Sequence, residues 1–202
     1  MNGNLALSGN LATRLIRART PGLRWFLANW LRLGQIKALI GVFMVQPVAR
    51  TFGLLTAYGK LEAMLIRGNG EKVRFGVLGY RLVTTAFVNF VVDQLQTETS
   101  VFGDFKYHDS GVGITDPAVG DTDIETTDGE SRATGTQTEG AANVYVSVGT
   151  ISYTTTKAIT EHGLFNAATS VTLMDRSEFA AINVVSGDSI QFTYSFTVTA
   201  GG

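Results

Sequence analysis

The chain has 202 residues, no cysteine and 45% hydrophobic side chains, which suits one domain of ordinary size or a small domain with an appendage. Without cysteine, neither a disulfide framework nor a thiolate metal site can form. The longest apolar run covers only residues 38–45. Because a membrane-spanning helix needs roughly 20 apolar residues, we expect no membrane span.

The net charge of −1 conceals a strong asymmetry along the chain. Residues 1–81 contain twelve Lys and Arg but only two Asp and Glu. Residues 82–202 contain four Lys and Arg and fifteen Asp and Glu. Such an imbalance is typical of an interaction arm, or of complementary docking between parts of an assembly. The sequence therefore predicts a chain of two parts.

The first part, residues 1–58, is predicted to be a basic, apolar arm with helical and extended segments. Leucine and aromatic residues recur at spacings of three and four after Pro21, which indicates an amphipathic helix from residue 23 to about residue 33. Its bases could bind nucleic-acid phosphates or an anionic membrane surface, or form a solvated helix face. We favour docking onto protein, because large apolar side chains in a short arm need a surface to cover them. The predicted docking residues are Arg14, Arg17, Arg24, Trp25, Phe26, Trp30 and Leu31.

The second part, residues 59–202, is predicted to be an antiparallel β-sandwich or jelly roll. A hairpin over 60–79 turns at Gly68-Asn69-Gly70, and a helix over 84–96 begins at a capping Thr84 or Thr85. Strict alternation of apolar and hydroxyl side chains predicts a half-buried strand over 189–199. Turn residues at intervals of about ten indicate further strands. These are 103–108, 122–126, 131–137, 143–154, 159–166, 171–174 and 178–184.

An acidic segment, residues 107–130, contains seven carboxylates and no lysine or arginine. The segment does not match an EF-hand calcium loop. Such a loop needs glycine at its sixth position and glutamate at its twelfth, where this chain has Thr126 and Arg132. Alternation along the predicted strand places its acids on one solvated edge. We expect this acidic rim to receive a neighbour's basic arm. Its predicted docking residues are Asp121, Asp123, Glu125 and Asp128.

The two histidines, His108 and His162, each adjoin a carboxylate in the sequence. Neighbouring strand residues point to opposite faces, so neither pair is arranged for catalysis or metal binding. We expect each histidine to lie at a strand end and to hydrogen-bond a loop. The sequence contains no nucleophile elbow, phosphate loop or dinucleotide motif, and so it predicts no catalytic residue, no metal, no cofactor and no enzymatic activity.

Several blocks in the second part resemble a known family. They are "FKYHDSG", "AVGDT", "ITEHGLF", Asp175-Arg176 and the terminal "GDSIQFTY…AGG". Together, over about residues 80–202, they are similar to structural proteins of the virions of tailed bacteriophages and prophages. The resemblance implies a non-enzymatic virion component, a homo-oligomer that also contacts capsid or tail proteins. An alternative is a fibre or spike module that recognises a host glycan through Tyr107, Tyr145 and Tyr153.

Overall fold

A computed structural model describes residues 19–81, 83–95, 105–169 and 172–201. Strands account for 45% of the described residues and helices for 22%, so the protein is mainly β, as predicted. The strands form two antiparallel sheets, consistent with the predicted β-sandwich body carrying a short helix. The body is built around a shared apolar core.

The first sheet has five strands in the order β2-β1-β9-β6-β5. The predicted hairpin is present, and the left-handed Gly70 (φ 83°) completes its turn. The alternation predicted for 189–199 is also confirmed, since Ile190, Phe192 and Tyr194 are fully buried. The strands are β1 (Thr56–Ile66), β2 (Lys72–Arg81), β5 (Thr136–Ala141), β6 (Val144–Ser152) and β9 (Ser189–Thr199).

The second sheet has four strands in the order β4-β3-β7-β8. Phe179 and Ile182 of this sheet share one core cluster with Leu61 and Phe192 of the first sheet, so the two sheets face each other. Both faces of β7 and β8 are largely buried, because the chain over 112–130 and the N-terminal helices cover the outer face. The strands are β3 (Tyr107–Gly111), β4 (Ala133–Thr134), β7 (Lys157–Phe165) and β8 (Leu173–Val184).

Two helices precede β1: α1 (Leu23–Trp30) and α2 (Leu33–Thr51), with a 67° bend between them. The middle of α2, Gly41–Val45, is π-helical, and its wider turn comes just before Pro47, whose ring would crowd a regular α-helix. By length and apolar composition, none of the helices in the described ranges could cross a membrane alone, although the bent pair taken together passes that test.

The third helix, α3 (Thr85–Leu95), connects the first sheet to the second. The Phe87 N–H donates to the Thr84 hydroxyl at 3.2 Å, which confirms Thr84 as the capping residue. The same hydroxyl donates to the Leu173 carbonyl at 2.6 Å, so the cap also fixes the helix to β8. Phe87 packs into the core, as the spacing of apolar residues predicts.

Five of the predicted strands differ from the structure, and one of them, 131–137, is divided between β4 and β5 of different sheets. Residues 122–126 are irregular chain with bends rather than a strand, because their carboxylates and backbone N–H groups bond to side chains of the second sheet. The predicted strands 171–174 and 178–184 are one continuous strand, β8, whose polar centre Asp175-Arg176-Ser177 is buried. The strand predicted over 103–108 runs from Tyr107 to Gly111 in the described part of that range.

Candidate assembly surface

The arm helices are anchored to the β body of their own chain. The Trp25 indole N–H lies 3.1 Å from the carbonyls of both Ala180 and Ala181. Asn29 is fully buried, donates to the Leu78 carbonyl at 2.7 Å and accepts from the Ala180 N–H at 3.1 Å. Because α1 bonds to both β2 and β8, it is held across the two sheets.

The start of α2 is held in the same way. The Gln35 amide donates to the Glu178 carbonyl at 3.1 Å, and Arg32 forms an ion pair with the Glu178 carboxylate. Burial of Arg32 lowers the pKa of its guanidinium, and nearby Asp116 opposes that effect. Asn29 and Gln35 were not predicted as anchors. Each is a polar residue within the apolar spacing of the arm, and this interruption is the one sequence signal that could have indicated them.

The opposite face of the arm helices is apolar and exposed. Leu33, Ile36, Ile40, Met44 and Val48 recur at spacings of three and four along α2. Fourteen large apolar side chains between residues 23 and 55, each at least 39% exposed, form what we call the apolar stripe. It comprises Leu23, Phe26, Leu27, Leu31, Leu33, Ile36, Ile40, Phe43, Met44, Val45, Val48, Phe52, Leu54 and Leu55. So many exposed apolar side chains on two consecutive helices indicate an interaction site.

The residues predicted to dock lie in different environments. Phe26 and Leu31 are exposed and belong to the apolar stripe, whereas Trp25 packs against Phe75 of its own chain, with ring centroids 4.7 Å apart. Trp30 is half-buried beside Phe26. Arg24 is exposed and forms no ion pair with the described residues. Arg14 and Arg17 lie outside the described residues.

The acidic rim is bound to basic side chains of its own chain. Arg176 donates to Asp121 at 3.0 Å, to Glu125 at 3.2 Å and to the fully buried Glu161 at 2.9 Å. Glu161 also accepts three backbone N–H groups, from Gly113, Glu125 and Thr126, at 2.8–2.9 Å. The segment over 112–130 is therefore fixed over the outer face of β7 by charge-assisted hydrogen bonds.

The other two rim residues are also engaged within the chain. Asp128 accepts a short hydrogen bond from the Ser110 hydroxyl. Asp123 lies 3.3 Å from Arg132, whose guanidinium also pairs with Asp109 and stacks on the Phe165 ring. Asp123 nevertheless remains 61% exposed. Docking of a neighbour's arm at this rim stays a prediction. Three of the four rim carboxylates, Asp121, Asp123 and Glu125, already pair with arginines of the same chain.

The prediction that the histidines hydrogen-bond loops is wrong, because the two rings meet inside the sandwich. His108 Nδ1 lies 2.9 Å from His162 Nε2, and His108 Nε2 lies 2.9 Å from the Ser147 hydroxyl of the opposite sheet. Both rings are fully buried. Burial lowers the pKa of His108 to about 3 and also holds the pKa of His162 well below its usual value. Both imidazoles are consequently neutral, and they connect the two sheets.

A second buried polar group lies near the histidines. Arg81 Nε donates to the Ser177 hydroxyl at 2.5 Å, and that hydroxyl lies 3.2 Å from the Asp175 carboxylate. The Tyr194 hydroxyl donates to the same carboxylate at 3.4 Å. Burial raises the pKa of Asp175 to about 7, although Arg81 opposes the shift. These groups bond to one another inside the sandwich, an arrangement that suits a structural role.

Replacing Gly149 by alanine should destabilise the protein by about 1–3 kcal/mol, the usual cost of overpacking a core. An added Cβ would lie closer than 3.0 Å to two carbons of the His108 ring. The comparison is Gly120→Ala, where an added Cβ meets nothing within 4 Å. Urea unfolding of both variants measures the difference, and equal midpoints would show that the ring has room to move.

The tyrosines of the alternative glycan-binding hypothesis do not form an exposed cluster. Tyr153 is 2% exposed, and its hydroxyl lies 3.0 Å from Ser110. Tyr145 is half-buried and donates a short hydrogen bond to the Phe105 carbonyl, while Tyr107 is half-buried on β3. No described group of three or more His, Asp or Glu side chains is arranged to hold a metal ion. The apolar stripe is therefore the strongest candidate site.

Comparisons with protein-family models, with curated proteins and with solved structures each gave no match to this chain.

Proposed function

We propose that this chain is a structural subunit of a tailed-bacteriophage virion, and that it assembles with copies of itself and with neighbouring capsid or tail proteins. The observation that carries the proposal is the apolar stripe, which the chain's own β body leaves exposed. Exposed apolar surface is costly in water, and burial against a neighbour recovers about 25 cal/mol for each Å² covered. The resemblance of residues 80–202 to virion structural proteins supports the same role.

The anchoring of the arm also favours assembly over a free tether. Trp25, Asn29 and Gln35 fix α1 and α2 to β2 and β8, so the stripe is presented on a rigid scaffold. A preorganised surface loses little conformational entropy when it binds, which increases affinity. Buried and internally bonded polar groups, such as Glu161 with Arg176, suit a subunit that must remain rigid in an assembly.

The proposal predicts that charges in the stripe prevent self-association. The stripe variant, Met44→Glu with Val48→Glu, changes side chains that are 66% and 56% exposed and should leave the fold intact. We expect it to sediment as a monomer at concentrations where the unaltered chain forms oligomers, because buried unpaired carboxylates are costly. A matched control is Thr155→Glu with Thr156→Glu, in the exposed turn before β7, which should assemble normally.

Two results would contradict the proposal. Oligomers of the stripe variant with the size and stability of the unaltered ones would show that the stripe is not the interface. Loss of assembly in the control variant as well would mean that added negative charge alone prevents association. Circular dichroism and thermal unfolding of both variants would establish that each is folded before its mass is interpreted.

A further inference from the structure

An apolar groove lies beside α3, at the end of the first sheet where β1 begins and β9 ends. Its volume is about 550 Å³. The residues that line it include Ala57, Phe87, Val88, Val92, Phe105 and Phe196. The Tyr145 hydroxyl at this groove already donates to the Phe105 carbonyl, so the lining offers apolar contact rather than free hydrogen bonds. An apolar group is therefore the chemistry that fits it.

The charges around the groove are complementary to those of the arm. The only charged residue of α3 is Asp93, and the only one of the nearby β5 is Glu139. In contrast, residues 19–55 contain five Lys and Arg and no Asp or Glu. Arg24, Lys37 and Arg50 of that set form no ion pair with the described residues. Lys106, next to Phe105 in the groove wall, is a base on this side, but the two acids outnumber it. A basic, apolar helix thus matches an apolar groove whose surroundings are weakly negative.

The chain's own stripe does not supply this helix. Trp25, Asn29 and Gln35 hold α1 and the start of α2 against β2 and β8, and Leu55, which follows α2, already forms part of the groove wall. An arm anchored in this way cannot turn back to fill the groove without breaking those buried bonds. Within the described residues, the arm helices therefore leave the groove open to an occupant from another molecule.

We propose that the groove beside α3 receives the apolar stripe of a second copy of this chain. The inference rests on the proposed function and gives the assembly a direction. Stripe and groove share only Leu55, and the stripe residues on α1 and α2 are not in the groove lining. The contact is therefore heterologous: each copy donates its stripe to one neighbour and its groove to another. Repetition of such a contact yields a closed ring or an open array, depending on the rotation between copies.

Mixing two defective variants tests this directly. The groove variant, Val88→Lys with Val92→Lys, changes two side chains on α3 that are each 48% exposed, and it places bases where the basic arm should dock. The stripe variant described above keeps its groove. Each charged substitution should weaken its interface roughly tenfold or more, so that each variant alone is monomeric. A mixture should form a 1:1 dimer and nothing larger, because only one intact stripe and one intact groove can meet.

The outcomes separate this inference from the broader proposal. A mixture that stays monomeric, or a groove variant that assembles like the unaltered chain, would overturn the groove assignment while self-assembly stands. An unaltered chain that is monomeric would overturn both. If that monomer instead bound vesicles containing anionic lipid, and the stripe variant did not, the stripe's partner would be a membrane surface.

Crosslinking provides a test that does not depend on the charged variants folding. Because the chain contains no cysteine, single cysteines can be placed without interference. Copies with Met44→Cys, mixed with copies carrying Val92→Cys, should form disulfide-linked heterodimers under mild oxidation. A Glu71→Cys copy in the distant β1–β2 turn is the matched control. Equal crosslinking of Met44→Cys copies to both partners would contradict the proposed contact.

Discussion

Replacing Arg176 by methionine should lower the free energy of unfolding by about 3–5 kcal/mol, the usual cost of removing one partner from a buried ion pair. Glu161 is fully buried and would keep its three backbone N–H donors but lose its balancing charge. The substitution also releases Asp121 and Glu125, so the segment over 112–130 should become accessible. Urea unfolding measures the first effect, and hydrogen exchange of the Gly113 and Thr126 amides measures the second.

The matched comparison is Lys60→Met. Lys60 pairs with Glu62 at 3.1 Å, but both side chains are about a third exposed. Solvent-exposed pairs of this kind contribute about 0–1 kcal/mol. If Arg176→Met were no more destabilising than Lys60→Met, the buried network would not be what fixes the acidic segment to β7.

Acidification should destabilise the protein between about pH 6 and pH 5, because the folded state holds both histidines neutral. A histidine whose pKa is lowered by folding favours the folded state above its unfolded pKa of about 6.5. That stability is lost as the pH falls below this value, because only the unfolded chain then binds the proton. The unfolded chain takes up two protons on His108 and His162 that the folded chain excludes. Asp175 acts in the opposite sense, since its pKa is raised to about 7 and its stabilising effect is lost as the pH rises.

For His108, His162 and Asp175 together, the net difference in this pH range is about one proton, equivalent to about 1.4 kcal/mol for each pH unit. Urea titrations at several pH values measure the slope. A variant with both His108→Gln and His162→Gln should lose the positive slope, because the two protons taken up on unfolding are removed while the opposing effect of Asp175 remains. A slope unchanged by this double substitution would show that other groups control the acid response. The quantity compared is the change in the free energy of unfolding with pH, so the test holds even if the variant is less stable overall.

The fold could be predicted where a strand has one apolar and one polar face. The strand Ser189–Thr199 matches its predicted bounds because its alternation reflects burial against the opposite sheet. The prediction failed at β8, where Asp175, Arg176 and Ser177 suggested a turn. These residues are polar and yet buried, since each bonds to a charge or hydroxyl supplied by a distant part of the chain. No local pattern contains those partners.

The same limit applies to the candidate site. The stripe residues Phe26 and Leu31 could be predicted, because apolar spacing within one helix is a local property. The sequence could not distinguish the side of the arm that faces its own body, which depends on Asn29 and Gln35 meeting β2 and β8. The meeting of His108 and His162 likewise requires the register of β3 on β7, in which Ser110 pairs with His162.

Sedimentation velocity of the unaltered chain, over a wide concentration range at low and high salt, tests the central claim most directly. If the apolar stripe drives assembly, the sedimentation coefficient should rise with concentration, and the oligomers should persist at high salt because apolar burial is not screened by ions. A chain that remains monomeric at every concentration would contradict the account. Oligomers that dissociate fully at high salt would contradict it as well, since they would depend on charge alone.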